Sequence, residues 1–323
     1  MTGGRTVLEL ARADVLERTR RSGFLLTLAG AAGLAYTVHA DVWTVLVGGR
    51  VPARGPASTG TLVAVVTSLF LSLAAFYVVR GTVARDVRTG VGPILATTPT
   101  GPLRYAAGKF LSNVAVLGAM LSLLAGLAVA VEAVRAGGVS AAGAWRVVSP
   151  GLLVTGPALV AVASVAVLFD SVRWLRGAAG NAAYFFLWVG ALSFAGFDSG
   201  SAWTDVTGLS LVFETLLDAL RSAVPGASAE GLTITANPEL GRDAAVFAWS
   251  GIGWSPEHVA RRLWWVAVGG VLTTVSAASL RLFDPFGDRA GLLAPSAEPP
   301  GDLSPSGERD DAGGAVPGRT TER

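Results

Sequence analysis

Six stretches of 18 to 25 residues contain no Asp, Glu, Lys or Arg: Ser22–Ala40, Gly55–Val79, Phe110–Val131, Val147–Phe169, Gly177–Phe197 and Leu263–Leu280. A bilayer core needs roughly 20 apolar residues in helix to cross it. In lipid the backbone must satisfy its own hydrogen bonds, so runs of this length are predicted as helices. The short alternating segments of an outer-membrane barrel are absent. Composition points the same way. Apolar residues make up 51% of the 323 and charged residues 15%, against about 25% charge in soluble domains.

The expected fold is therefore an all-α membrane protein with six transmembrane helices, at about 22–40, 58–79, 110–131, 148–169, 178–197 and 263–282. Residues 1–21 are expected to precede them as a cytoplasmic amphipathic helix. Residues 284–323, rich in Gly, Pro, Ser, Asp and Arg, are expected to form a disordered cytoplasmic tail, because they cannot bury enough apolar area to offset chain entropy. Lys and Arg near the span ends divide 14 to 8 in favour of both termini inside the cell membrane, following the positive-inside bias. Arg261 and Arg262 stand on the wrong side in this count. A rival reading makes Ser22–Ala40 the apolar part of a signal peptide, cleaved after Val38-His39-Ala40. The 21 residues before it contain Glu9, Asp14 and Glu17, which is long and acidic for such a leader.

Between the spans, Val7, Leu8, Ala11 and Val15 fall near one face of the first helix, with Glu9, Arg12, Asp14 and Arg18 elsewhere, as on a helix lying in a membrane interface. The alternative is a solvated extension of the first span. Arg80–Lys109 is long for a simple connection. Val83, Val87, Val91 and Ile94–Leu95 recur at helical spacing, with Arg85, Asp86 and Arg88 off the stripe. Pro99-Thr100-Gly101 then signals a turn. The loop is read as a short helix and a corner, or as a solvated hairpin. Gly118, Ser122, Gly126 and Ala130 put a stripe of small residues on the third span, as at close helix contacts. Ordinary packing within one bundle and a subunit interface both fit it. Pro157 is expected to kink the fourth span.

In the outer loop 198–262, Leu209, Val212, Phe213, Leu216, Leu217 and Leu220 give one apolar helical face. It lies either on the outer interface or on the protein itself. Leu232–Thr235 and Ala245–Trp249 read as strands, so a small α/β extracytoplasmic cap is expected between the last two spans. Phe247, Trp249, Trp254, Trp264 and Trp265 can form an interfacial aromatic belt.

Several chemistries are excluded. There is no cysteine and there are two histidines, His39 and His258, far apart, so thiol chemistry and histidine-based metal motifs are out. A phosphate-binding GxxxxGK[ST] loop cannot be built around the single lysine, because Leu103 stands where the first glycine must be and Phe110 follows Lys109. The near-balanced net charge of +2 implies no nucleic-acid partner. The five later spans hold no ionisable side chain of the kind ion-driven carriers use.

The segment Leu95-Ala-Thr-Thr-Pro-Thr-Gly-Pro-Leu-Arg-Tyr-Ala-Ala-Gly-Lys-Phe110 resembles the inner loop of ABC-2 type transporter permease subunits. Leu168 to Phe185 is similar to their join between the fourth and fifth spans. Trp249-Ser-Gly-Ile-Gly-Trp254, then Arg262-Leu-Trp264 and Leu282-Phe-Asp-Pro285, resemble their outer turn and closing end, although Pro285 replaces the usual basic residue. The resemblance covers the chain to about residue 286. It implies the membrane-spanning component of an ABC exporter: no enzyme in itself and no cofactor in this chain. A separate cytoplasmic ABC ATPase subunit would bind ATP and Mg, and a second permease subunit, as homodimer or sister permease, would complete the transporter among membrane lipids. It places an ATPase-coupling helix at about Val83–Thr98, with Val83, Arg85, Asp86, Val87, Arg88, Val91, Ile94 and Leu95 offering an exposed stripe to the partner. Arg104 and Lys109 are either interface anchors or membrane-edge charges. Two other classes stay open. One is a membrane-embedded enzyme acting on lipids, for which Asp170, Arg173, Arg176 and Asn181 are the only polar cluster. The other is a non-transporting membrane scaffold.

Overall fold

The computed structural model describes residues 3–20, 22–40, 42–90, 100–197 and 203–280. The tail 284–323, the segment Val91–Pro99 and the first residues of the outer loop lie outside them. The fold is mostly helical with one small sheet. Its helices are α1 (Gly3–Thr19), α2 (Ser22–His39), α3 (Pro56–Val66), α4 (Ser72–Val79), α5 (Thr82–Arg88), α6 (Pro102–Ala136), α7 (Ala141–Pro150), α8 (Gly156–Ser171), α9 (Ala178–Phe197), α10 (Leu209–Ala223), α11 (Pro238–Arg242) and α12 (Pro256–Ser279). The strands are β1 (Thr44–Val47), β2 (Arg50–Pro52), β3 (Leu232–Thr235) and β4 (Ala245–Phe247).

Three helical stretches are long and apolar enough to cross a membrane: Pro56–Asp86, Pro102–Ala136 and Ala141–Ser171. This suits a transmembrane protein. The 35-residue α6 is the central post, packed by α1, α2, α8 and α12. It starts on Pro102, whose missing N–H costs nothing at a helix start. It stops at Gly137, which is left-handed at φ 67° and lets the amide of Gly138 reach Ala133 O at 2.7 Å. Its inward face is Val116, Leu117, Met120, Leu124 and Ala128, packed with Phe76, Val79, Leu159 and Ala163 of the neighbouring helices.

The two flanking membrane-length helices are not regular. Each contains one π turn, Thr67–Leu71 and Gly151–Thr155, and the two turns lie against each other. Ser68 Oγ and Thr155 Oγ1 are 3.1 Å apart in the contact. Pro157, expected to kink its helix, sits just after the second turn. It cannot donate to Leu153 O, so the regular ladder must break there. Near the helix start the α3–α7 crossing is tight. A Cβ on Gly60 would lie 2.5 Å from Val147 O and 2.6 Å from Arg146 O. Both are backbone atoms that cannot step aside. Gly60→Val is expected to cost about 3 kcal/mol or more, read as a lower thermal midpoint of the detergent-solubilised chain. An unchanged midpoint would refute the crossing.

The sheet has the order β3-β1-β2-β4. β3 and β4 match the expected strands. β1 and β2, which the sequence reading did not anticipate, pair with them: β1 runs antiparallel to β3 with Val45 opposite Ile234, and β2 runs parallel to β4 with Val51 opposite Val246. Gly48 and Gly49, both at positive φ, make the tight β1–β2 turn, which right-twisted strands favour. The apolar face of α10 covers this sheet, with Val212, Leu216 and Leu220 fully buried beside Val47. Of the two expected placements, α10 thus lies on the protein. Phe247 is buried in the same cluster and so belongs to a core, not to an aromatic belt.

Candidate functional site: a buried ion cluster on α1, α5 and α6

The amphipathic reading of α1 needs correcting. Its inward face carries Ala11, Asp14 and Arg18, while Leu8 and Leu16 are exposed. The helix docks along the start of α6. Gly108 permits this, since a Cβ there would lie 2.9 Å from Leu10 Cβ. Apolar burial alone did not choose the face. The polar groups it meets on α6 and α5 did.

Asp14 is the hub. Oδ1 accepts from Arg85 Nη2 at 2.9 Å and Lys109 Nζ at 3.0 Å. Oδ2 takes Arg18 Nε at 2.9 Å and Ser112 Oγ at 2.5 Å. Lys109 also bonds Asp86 Oδ2 at 2.8 Å, and Tyr105 donates to the same oxygen at 2.7 Å. Arg18 Nη2 donates to Asn113 Oδ1 at 2.7 Å, and Asn113 in turn reaches Ala163 O on α8. Arg18 Nη1 is buried with no hydrogen-bond partner among the described residues. At the rim, Glu17 accepts from Arg85 at 3.1 Å. Burial pushes the Asp14 carboxyl up, but Arg18, Lys109 and the Ser112 hydroxyl more than offset this and hold it below the usual carboxylate range. Burial conversely lowers the Arg18 guanidinium, opposed by Asp14.

This revises the expected coupling stripe. Val83 is fully buried against Tyr105, Ala106, Val167, Ala277 and Leu280, so it is not part of an exposed surface. Arg85 and Asp86 spend their polar atoms on the cluster. Beside Val83, the ion pairs of Arg85 and Asp86 hold α5 in place. Val87 and Arg88 belong to α5, but their side chains are outside the described set. Val91, Ile94 and Leu95 lie outside the described residues altogether. Lys109 is buried in the cluster, so it is not an exposed anchor. The small-residue stripe also moves: Gly118, Ser122, Gly126 and Ala130 all face outward, so they do not pack the bundle of this chain.

A second buried cation lies toward the other end. Arg262 is 2% exposed. Its Nη1 donates to Asp205 O at 2.6 Å, and Nη2 donates to Val154 O at 2.8 Å and Val206 O at 2.9 Å. Nε reaches Leu153 O at 3.4 Å, the carbonyl that Pro157 leaves without a donor. The Asp205 carboxylate caps the start of α10, taking the amides of Thr207, Gly208 and Ser210. The wrong-sided basic pair is thereby explained. Arg262 is a bolt between α12, the π turn and α10, and Arg261 pairs with Glu214 at 3.2 Å and with Glu257 at 2.5 Å.

Three of the four polar residues weighed for an enzyme are engaged in ties within the protein, while Arg173 is exposed. Asp170 accepts from Gly81 N at 2.7 Å and faces Arg80 at 3.5 Å. Arg176 donates to the carbonyls of Asp170 and Ser171, and Arg80 to those of Leu175 and Gly177 and to Asn181. These bonds tie the α4–α5 turn to the α8–α9 join. Among the described residues no group of three His, Asp or Glu side chains is placed to hold a metal ion.

The sequence offered two weak signals for the main cluster: Asp14 and Arg18 at i,i+4, and a solitary lysine among 24 arginines. Tyr105 and Asn113 offered none. Compared with known proteins, the chain matches no protein-family model and no curated sequence.

Proposed function

We propose that this chain is the permease subunit of an ATP-binding cassette exporter of the ABC-2 type, powered by a separate cytoplasmic ATPase. In this reading α2, α3–α4, α6, α7–α8, α9 and α12 are six spans of the cell membrane. Both termini are cytoplasmic, and the sheet with α10 is an extracytoplasmic cap. The resemblance of the inner-loop and joining segments supports it.

The observation that carries it furthest is how α5 is held. α5 continues the membrane-length helix Pro56–Asp86 and ends just before Val91–Leu95, the segment assigned to the ATPase contact. Asp86 and Arg85 lock α5 to α6 and α1, and Gly81 and Arg80 lock its start to α8 and α9. A pull on the segment after α5 is therefore delivered to at least four helices as one rigid body, the movement an alternating gate needs. The enzyme reading is disfavoured because Asp170, Arg176 and Asn181 are engaged in ties between helices. A second permease copy would seat on the outward stripe Gly118–Ala130.

The test is co-purification with an ATPase and reconstitution in proteoliposomes. ATP hydrolysis is expected to depend on this chain, and replacing Ile94 and Leu95 together by Asp is expected to cut stimulated hydrolysis at least tenfold without loss of membrane insertion. Undiminished hydrolysis in that double variant would remove the coupling assignment. Asp86→Ala is a poorer probe than the loop position suggests, since it also strips Lys109 and Tyr105 of a partner.

A further inference from the structure

A cleft of about 890 Å³ opens beside the ion cluster. Arg18, Arg85 and Thr89 line its polar side, and Phe24, Leu26 and Val78 its apolar side. It lies where α2 begins and α4 ends, the depth at which a helix leaves hydrocarbon for headgroups. Leu25 and Leu26 next to it are 63% and 75% exposed, an apolar lip that water does not favour.

The cleft lining carries one sign of charge: Arg18, Arg80 and Arg85 line it, and among the described residues no Asp or Glu does. Arg18, Arg80, Arg85 and Lys109 are all largely buried, against the buried carboxylates of Asp14, Asp86 and Asp170. Glu17, the further acid in contact, is half exposed. Most donors of these cations are committed, but among the described residues Arg18 Nη1 has no hydrogen-bond partner. A buried guanidinium nitrogen left unpaired is costly, and an anionic oxygen in the cleft would relieve it.

We infer that this cleft binds the phosphate of an anionic phospholipid, with Arg18 as the principal donor and the acyl chains lying along Phe24, Leu26 and Val78. A phosphodiester matches the site in three ways. It brings a negative charge to a cleft lined by Arg18, Arg80 and Arg85. Its free oxygens accept charge-assisted bonds from arginine. Its chains cover the apolar lip. Occupancy would brace α1 against α2 and α4, and it requires no ATPase.

The test is native mass spectrometry of the full-length chain in detergent. It is titrated with phosphatidylglycerol, with phosphatidylcholine of the same acyl chains, and with inorganic phosphate. Phosphatidylglycerol is expected to be retained about tenfold more tightly than phosphatidylcholine, and Arg18→Gln to erase that preference. Because Arg18→Gln also breaks the bridge to Asp14, a second pair of variants is made at exposed Thr89. Thr89→Glu is expected to weaken phosphatidylglycerol binding a few-fold and Thr89→Lys to strengthen it. Equal retention of the two lipids, or no opposite response at Thr89, overturns the proposal. Displacement of the lipid by millimolar inorganic phosphate would mean that a soluble phosphate takes the site, which overturns the lipid assignment. None of these readouts involves nucleotide, so their failure leaves the exporter reading untouched.

Discussion

Asp14→Ala is expected to release the whole α1 end of the molecule. The side chain is 5% exposed in its residue average and is the shared counter-ion of Arg18, Arg85 and Lys109. Removing it leaves three cations crowded in a buried space, with Asp86 and Glu17 as their remaining ion-pair partners among the described residues. Breaking a buried pair in this way costs about 3–5 kcal/mol, a large part of the roughly 5–15 kcal/mol that holds a folded domain together. The expected signs are a thermal midpoint lower by roughly 10 °C in detergent and fast proteolysis within α1. Asp14→Asn, which keeps an acceptor for Ser112, should fall between. The pH dependence follows from the direction of the shift. The folded carboxyl titrates below its unfolded value, so its contribution is complete at neutral pH and down to about pH 4. It drains away only as the pH falls further toward the folded value. A wild-type stability that stayed flat under acid, or an Asp14→Asn profile with the same acid limb as wild type, would remove Asp14 from the centre of the cluster.

The second large effect is expected at Arg262. Arg262→Met keeps the volume and apolar stem but orphans the carbonyls of Asp205, Val206 and Val154, together with Leu153 O. Each buried group left without a donor costs about 1–3 kcal/mol, so a loss of at least about 4 kcal/mol is expected. Arg262→Lys should recover little, because an ammonium cannot address three or four carbonyls in the fixed fork of a guanidinium. The checking measurement is thermal unfolding together with hydrogen exchange of α10. Protection of α10 unchanged in Arg262→Met would show that the bolt is dispensable.

Both residues illustrate what a linear reading misses. Asp14 and Arg18 look like ordinary surface charges on an amphipathic helix, and Arg262 looks like an orientation charge on the wrong side of a membrane. In each case the decisive partner is remote in sequence: Lys109 and Ser112 lie 95 and 98 positions from Asp14, and Val154 lies 108 from Arg262. The same holds for β1, whose partner β3 is far downstream, although the Gly48-Gly49 pair was a usable turn signal. The stripe Gly118–Ala130 was correctly placed on one face, but not on the face that the bundle buries.

Run length and composition alone located the three helical stretches long and apolar enough to cross a membrane, Pro56–Asp86, Pro102–Ala136 and Ala141–Ser171. A chain of some 20 residues without charge has no other way to satisfy its backbone in lipid. Periodicity also located α10 and two of the four strands, since local spacing sets which side chains share a face. Which charges turn inward was decided only by the tertiary structure. A carboxylate or guanidinium can be buried only where opposite charges and donors converge on it in three dimensions, and no local pattern records that convergence.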